Sequence, residues 1–200
     1  MEHNLNSDFQ MHYWDFMYAI EFDLKTLSRY IELNDNNLNT YSIELVRLYL
    51  STCSEIEVVL KEFCKILNDS SEPRNITQYR NIIKPERPQM LDEIVNIGFK
   101  KTVTPWVDWK KDTTPKWWKD YQLVKHSRNE YYHLATLENV LHSVGALFLC
   151  VHFYYLEYLS QIPKSILPRE LSLKDITSIF NSGNNFLKLA SKHQQGFLSI

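Results

Sequence analysis

The stretch NTYSIELVRLYLSTCSEIEVVLKEFCKILN, residues 39–68, contains neither Gly nor Pro and decides the fold of this chain. One set of mostly apolar residues recurs along it in alternating steps of four and three, with a mean period of 3.5 residues. That period is typical of a long helix packed nearly parallel or antiparallel to a partner helix. We therefore predict one long helix over residues 39–68, with an inner face formed by Leu45, Tyr49, Thr52, Ile56, Val59, Phe63 and Ile66.

Helical patterns also lie on either side of this stretch. Residues 12–33 place apolar side chains on one helical face, at Phe16, Ile20, Leu24, Leu27 and Ile31. The sequence between Pro115 and Gln161 is unbroken by Pro and is too long for one helix of a small domain. We predict two helices there, over about 116–132 and 136–160, with Thr136 as N-cap and Glu138 in the first turn. A single bent helix is the alternative.

Prolines mark the middle of the chain, where five of the seven lie between Pro73 and Pro115. We predict loops and turns in this region, interrupted by one short helix between Pro88 and Gly98. That helix would carry Met90, Leu91, Ile94, Val95 and Ile97. A last helix is predicted over about 170–180, before the Asn- and Gly-containing turn at 181–185.

Composition agrees with a single helical domain spanning residues 1–200. Only 4 of the 200 residues are Gly, the residue that tight turns and hairpins need most. Hydrophobic residues at 44 % and charged residues at 23 % are ordinary for a globular protein. The predicted fold is all-α: an up-and-down helical bundle of about four to five main helices with a Pro- and Trp-rich middle connection.

Several features predict a cytoplasmic protein with no membrane segment. Cys53, Cys64 and Cys150 lie in apolar runs without a CxxC pair, as buried thiols of a reducing compartment do. Residues 1–10 are polar and lack the basic start and apolar run of a signal peptide. Residues 139–156 contain no Lys, Arg, Asp or Glu, but the interspersed His142 and His152 favour a buried core helix over a membrane span.

Charge is distributed unevenly along the chain. Residues 99–128 carry eight basic and three acidic side chains, a net charge of +5, whereas the remainder carries −7. Four of the five Trp residues lie in the same segment. Cations attract phosphates and aromatic rings stack on bases, so the segment predicts nucleic-acid binding by Lys116, Trp117, Trp118, Lys119 and Lys125. The alternative is that the Trp residues anchor the core and the lysines form a solvated rim, because adjacent Trp117 and Trp118 on a helix cannot both face away from the core.

The residues best suited to chemistry follow at positions 125–133, KHSRNEYYH. On a continuous helix Lys125, Asn129 and Thr136 would lie within about 40° of one another. His126 and His133 would lie on one edge of that stripe, and Arg128 on the other. An imidazole can remove or deliver a proton near neutral pH, and a guanidinium can stabilise negative charge on phosphate oxygens. These groups suit RNA cleavage without a metal.

The run Arg128-Asn129-x-x-x-His133 resembles the R-x4–6-H motif of the HEPN superfamily. HEPN domains are helical bundles with long antiparallel helices, and many are metal-independent RNases of toxin–antitoxin, CRISPR or anti-phage systems. The resemblance implies catalytic roles for Arg128 and His133, a supporting role for Asn129 and an active site formed where two protomers meet. The implied product carries a 2′,3′-cyclic phosphate, and the implied partners are RNA, a second copy of the chain and an antitoxin or other defence protein.

Other interpretations remain open. In a second interpretation, the neighbouring run WWKDYQLVKHSR, residues 117–128, is the functional segment, and His126 rather than His133 is the key imidazole. In a third interpretation, the whole cluster has a structural role. No metal or cofactor is predicted, because the sequence has no metal-ligand spacing and no Gly-rich phosphate loop. The alternative function is a non-catalytic HEPN-like module that binds a partner protein or a nucleotide.

Overall fold

The computed structural model describes residues 11–98, 100–161 and 186–190, and helices dominate this part of the chain. The described α-helices are α1 (His12–Leu27), α2 (Ile43–Leu67), α3 (Ile76–Glu86), α4 (Lys116–His126), α5 (Arg128–Tyr131) and α6 (Leu137–Gln161). Short 3-10 turns occupy Asp35–Asn37, Pro88–Leu91, Val107–Lys111 and Tyr132–Leu134. Three short strands complete the described elements: β1 (Val95–Ile97), β2 (Lys101–Val103) and β3 (Leu187–Leu189). The prediction of an all-α helical bundle is confirmed.

Helix α2 is the central element, as its sequence period predicts. Ser42 caps its N-terminus by accepting a 3.2 Å hydrogen bond from the backbone N–H of Leu45. The predicted inner face is buried except at its last position, Ile66, which is half-buried near the end of the helix. The helix begins at Ile43, because residues 38–41 instead join the start of α6 through backbone hydrogen bonds.

The two long helices, α2 and α6, run in the same direction. Tyr41 and Thr136 form a bridge at one end of the pair, and the Gln161 side chain donates to the Ile66 carbonyl, at 3.1 Å, at the other. Helix α6 is long and apolar enough to cross a membrane by length and composition, but 83 % of its most apolar window is buried inside the fold. Burial among the other helices accounts for this apolar character, as expected for a core helix.

Helix α1 runs antiparallel to this pair. The ring of Tyr13 meets that of Tyr154 near the end of α6, at 5.1 Å between centroids, and Asp23 pairs with Arg47 near the start of α2. The helix ends at Leu27, six residues earlier than predicted. Its buried face consists of Met17, Ile20, Leu24 and Leu27. The assignment of Phe16 to that face was therefore wrong, since this ring is exposed.

The Pro-rich middle differs from its prediction at two places. Residues 76–86 form α3 rather than loop, because Asn75 caps the helix through the Gln78 N–H, at 3.1 Å, and Tyr79 and Ile83 bury one face. The predicted helix between Pro88 and Gly98 is wrong as well. A 3-10 turn and strand β1 occupy that stretch.

Strand β1 is the middle strand of a small antiparallel sheet with the order β2-β1-β3. Val95 and Ile97 are buried and Asn96 is half-buried, which is the alternation of a strand rather than the period of a helix. Gly98 follows with φ 57°, in the left-handed region that favours Gly, and leads into β2. The third strand comes from residues 187–189, far along the chain. The sequence of region 88–98 therefore cannot indicate by itself that a strand pairs on this side of β1.

The predicted helix 116–132 ends at His126. Ser127 adopts φ −139° and ψ 55°, which interrupts the helix before α5 begins at Arg128. Helix α6 matches the second prediction closely, with Thr136 Oγ1 accepting from the Asn139 N–H at 3.3 Å and Glu138 in the first turn. The predicted helix at 170–180 and the turn at 181–185 lie outside the described residues.

Candidate functional site

The break at Ser127 divides the polar stripe that a continuous helix would have formed. Lys125 lies in the last turn of α4, Asn129 lies in α5, and Thr136 caps α6 beyond a second break at Ala135. The prediction that these three residues share one helical face is therefore wrong. Residues 126–134 instead fold into an exposed turn at the end of α4, called here the 126–134 turn.

The 126–134 turn presents four of the predicted site residues to solvent. His126, Arg128, Asn129 and His133 are all exposed. Within the described residues, none of these four side chains takes part in an ion pair or a side-chain hydrogen bond. Two imidazoles, one guanidinium and one amide are thus available to an anionic ligand within eight residues of sequence.

The only acidic side chain of this turn is Glu130. This neighbouring carboxylate raises the pKa of Tyr131 above its ordinary value. Within the described residues Glu130 forms no ion pair, so the Arg128 guanidinium is not neutralised by it.

The turn is held against the bundle by buried polar contacts and partly buried rings. The Asn139 amide donates 2.8 Å hydrogen bonds to the Leu134 carbonyl and to Asp120 Oδ2. Tyr132 packs against the core and meets the Tyr41 ring edge-on at 6.0 Å between centroids. Asn139 and Asp120 are positioning residues that no spacing in the sequence indicates, because they come from different helices.

Two of the predicted RNA-binding lysines are engaged with carboxylates. Lys116 Nζ lies 2.5 Å from Asp120 Oδ2, and Lys125 Nζ lies 3.3 Å from Glu57 Oε2. Desolvation lowers the pKa of Lys125, but the Tyr121 hydroxyl and Glu57 outweigh it and the net pKa is raised. Lys125 is therefore a stable cation whose charge is largely balanced by Glu57. Lys119 is exposed, and no described residue pairs with its ammonium group.

Trp117 and Trp118 require a correction to their predicted role. They are only 3 % and 4 % exposed, and their rings meet at 5.6 Å between centroids. The Trp117 indole N–H donates to the Pro105 carbonyl at 2.9 Å, and the Trp117 ring also contacts that of Trp106. These rings anchor the core and present no free face on which a base could stack.

His142 and His152 of α6 and the three Cys side chains lie in or against the core. Burial lowers the pKa of His152 to about 3 and also lowers the pKa of His142. Cys53, Cys64 and Cys150 are free and buried, as their apolar surroundings predict. In the part of the chain that the structure describes, no group of three or more His, Cys, Asp or Glu is arranged to hold a metal ion.

Comparison with known proteins returned no matching family model, curated protein or solved structure. The HEPN resemblance therefore rests on Arg128, Asn129 and His133 and on the helical architecture around them. The resemblance implies long antiparallel helices, but the two longest helices, α2 and α6, run parallel, and the shorter α1 runs antiparallel to both.

Proposed function

We propose that this protein is a metal-independent endoribonuclease of the HEPN type, acting in the cytoplasm in a defence or toxin–antitoxin system. The observation that carries the proposal is the shared exposure of Arg128, Asn129 and His133 on one turn, with no described side-chain partner. Side chains with a purely structural role at such a turn would be expected to make contacts with the bundle. Here Asn139 and the partly buried Tyr132 perform that structural role instead.

The proposed reaction is attack of an RNA 2′-hydroxyl on the adjacent phosphorus. One general base removes the 2′ proton, and one general acid protonates the departing 5′ oxygen. The products are a 2′,3′-cyclic phosphate and a 5′-hydroxyl end. His133 serves in one of the two proton transfers, Arg128 binds two non-bridging phosphate oxygens, and Asn129 donates a hydrogen bond to the phosphate.

The second proton transfer has two candidate donors or acceptors. In the homodimeric arrangement that HEPN proteins use, a second copy of the 126–134 turn supplies another His133. In the alternative arrangement, His126 of the same turn supplies it, since this imidazole is also exposed. Replacement of His126 separates these arrangements, because only the second one requires this residue.

The test is incubation of the purified chain with single-stranded RNA in the presence of EDTA. We expect fragments that end in a cyclic phosphate. Arg128→Ala and His133→Ala should each reduce the cleavage rate by about 100-fold or more, the usual contribution of a positioned acid, base or oxyanion donor. Arg29→Ala is a matched control, because Arg29 is exposed on the segment after α1 and is not part of the 126–134 turn. Absence of cleavage by the isolated wild-type protein, or equal rates in all variants, would contradict the proposal.

A second candidate function is a non-catalytic module that binds a partner protein. The observation that favours it is an apolar patch on α1, where Tyr18 and Phe22 are one helical turn apart and are 57 % and 65 % exposed. The partner proposed for this patch is an antitoxin or another defence protein. Under this function the protein forms a stable complex that Phe22→Ser weakens, while RNA incubated with the protein alone stays intact.

A further inference from the structure

A groove of about 590 Å³ lies between α2, α3 and α4. Its volume is within the range of sites that hold a nucleotide-sized ligand. Helix α2 contributes Glu57, and α4 contributes Trp118, Lys119 and Leu123. Tyr79 comes from α3, and Arg74 lies just before the N-cap of that helix.

The cations of this groove differ from those of two other surface grooves. At the groove between α1 and α2, Arg47 is paired with Asp23 and Glu44. At the groove beside Pro85, Lys84 pairs with Asp112 and Lys110 pairs with Asp92. By contrast, no described residue forms an ion pair with the side chain of Arg74 or Lys119. These two cations are available to a ligand.

The electrostatic balance of the groove favours an anion. Its one carboxylate, Glu57, contacts Lys125 Nζ at 3.3 Å and the Gln122 amide at 3.5 Å. Lys125 therefore balances the charge of Glu57, and the charges of Arg74 and Lys119 remain in excess. Two separated cations of this kind suit consecutive phosphates of a nucleic-acid strand.

Apolar surface lies beside the cations. Leu123 is 40 % exposed and lines the groove together with the half-buried Ile76 and the edge of Trp118. A base that is not paired in a duplex could pack its face on Leu123 while its phosphates contact the cations. A base in a duplex cannot pack on Leu123 in this way, because both of its faces are stacked on neighbouring bases.

The groove leads toward the 126–134 turn. Lys119, Leu123 and His126 follow one another along α4 in steps of four and three residues, so they lie on one face of that helix. His126 ends α4, and Arg128 begins the next helix. A strand lying in the groove would therefore extend to the predicted catalytic residues.

We infer that this groove binds single-stranded RNA, with Arg74 and Lys119 on consecutive phosphates and Leu123 under an unpaired base. The inference rests on the proposed function for the identity of the ligand as RNA. It assigns the base contact to Leu123 rather than to the rings of Trp117 and Trp118, which are buried. Lys119 retains the nucleic-acid role that its sequence predicts.

The test measures binding without cleavage, using a fluorescent 2′-O-methyl oligoribonucleotide that cannot undergo 2′-hydroxyl attack. Fluorescence anisotropy at several salt concentrations gives both the Kd and its salt dependence for the full chain. We expect Arg74→Glu and Lys119→Glu each to weaken binding by about tenfold, the loss of one charge-assisted contact. Each variant should lower the salt slope by about 0.7, the value for one phosphate contact on a single strand. Lys25→Glu makes the same charge change at an exposed position on α1 and should have little effect.

The outcomes separate this inference from the proposed function. Loss of binding in the Arg74 and Lys119 variants supports the groove even if the wild-type protein cleaves no RNA. Equal binding by these variants and Lys25→Glu overturns the groove even if cleavage depends on His133. No binding of the wild-type protein to the oligonucleotide also overturns it. Equally tight binding of a duplex, with the same dependence on Arg74 and Lys119, overturns the single-strand assignment.

Discussion

The side-chain amide of Asn139 donates a 2.8 Å hydrogen bond to Oδ2 of Asp120, which ties the start of α6 to the middle of α4. The same amide donates to the Leu134 carbonyl, the last residue of the 126–134 turn. Both side chains are buried, so water cannot replace these contacts. Asn139 thus fixes the end of the turn that carries the exposed Arg128 and His133, although it belongs to a different helix, α6.

Replacing Asn139 with Ala should destabilise the protein and loosen the turn. The change leaves the Asp120 carboxylate and the Leu134 carbonyl without the amide, at a cost of about 1–3 kcal/mol in the free energy of unfolding. Urea denaturation measures this loss, and the RNA cleavage rate should fall although Arg128 and His133 are intact. The control is Asn81→Ala on the exposed side of α3, which should change stability by less than about 0.5 kcal/mol. Equal stability of the two variants would show that the Asn139 contacts contribute nothing.

Gly145 should not tolerate Ala, although Ala is the better helix former by about 1 kcal/mol. A Cβ at this position of α6 would lie 2.6 Å from Cγ2 of Val103 on β2. We expect Gly145→Ala to lower the free energy of unfolding by about 1–3 kcal/mol, the usual cost of overpacking.

A double variant tests this cause directly. Val103→Ala removes the opposing methyl group, so the double variant should be more stable than the sum of the two single losses by at least about 0.5 kcal/mol. Additive losses would mean that the contact between α6 and β2 does not limit this position.

Glu21 should make stability depend on pH in the acid range. Burial raises the pKa of Glu21 above its ordinary value, and this effect exceeds the opposing hydrogen bonds from the backbone N–H groups of Leu187 and Phe186. A carboxyl with a raised pKa in the folded state adds stability below its unfolded pKa and loses that contribution as pH rises through the folded pKa. Relative to Glu21→Gln, the wild-type protein should therefore gain stability as the pH falls from about 7 to about 4. Urea midpoints of both proteins across this range provide the measurement, and a constant difference would exclude the effect.

The three thiols should be unreactive in the folded protein. Cys53, Cys64 and Cys150 are buried, and desolvation raises the pKa of each, to about 12 for Cys64. Because the thiolate is the reactive form, a disulfide reagent such as Ellman's reagent should label none of them rapidly under native conditions. All three should react once the chain is unfolded in guanidinium chloride. Rapid native labelling of any one would show that its helix opens readily.

Local pattern was sufficient for the long helices. The period of 3.5 residues in α2 and the uncharged run in α6 each extend over many turns, so burial of one face or of the whole helix is encoded within the element itself. Helix α3 carries a similar but shorter pattern, with Asn75 as cap and with Tyr79 and Ile83 buried. Its last turn contains Pro85, a residue that normally indicates the end of a helix, so the sequence pattern is less evident. Strand β1 has only a three-residue alternation, and one of its two partners, β3, is supplied by residues about 90 positions away.

The sequence by itself determined the helical class, the course of α2 and α6, the burial of the cysteines and the candidate residues Arg128, Asn129 and His133. Only the tertiary structure decided that α4 ends at His126, that Trp117 and Trp118 face the core, and that Lys116 and Lys125 are paired with Asp120 and Glu57. The physical reason is the separation along the chain of the residues that interact. A helical period depends on neighbours three and four residues apart. The attachment of the turn and the pairing of Lys125 depend instead on Asn139 and on Glu57 of α2, which meet α4 only in the folded bundle.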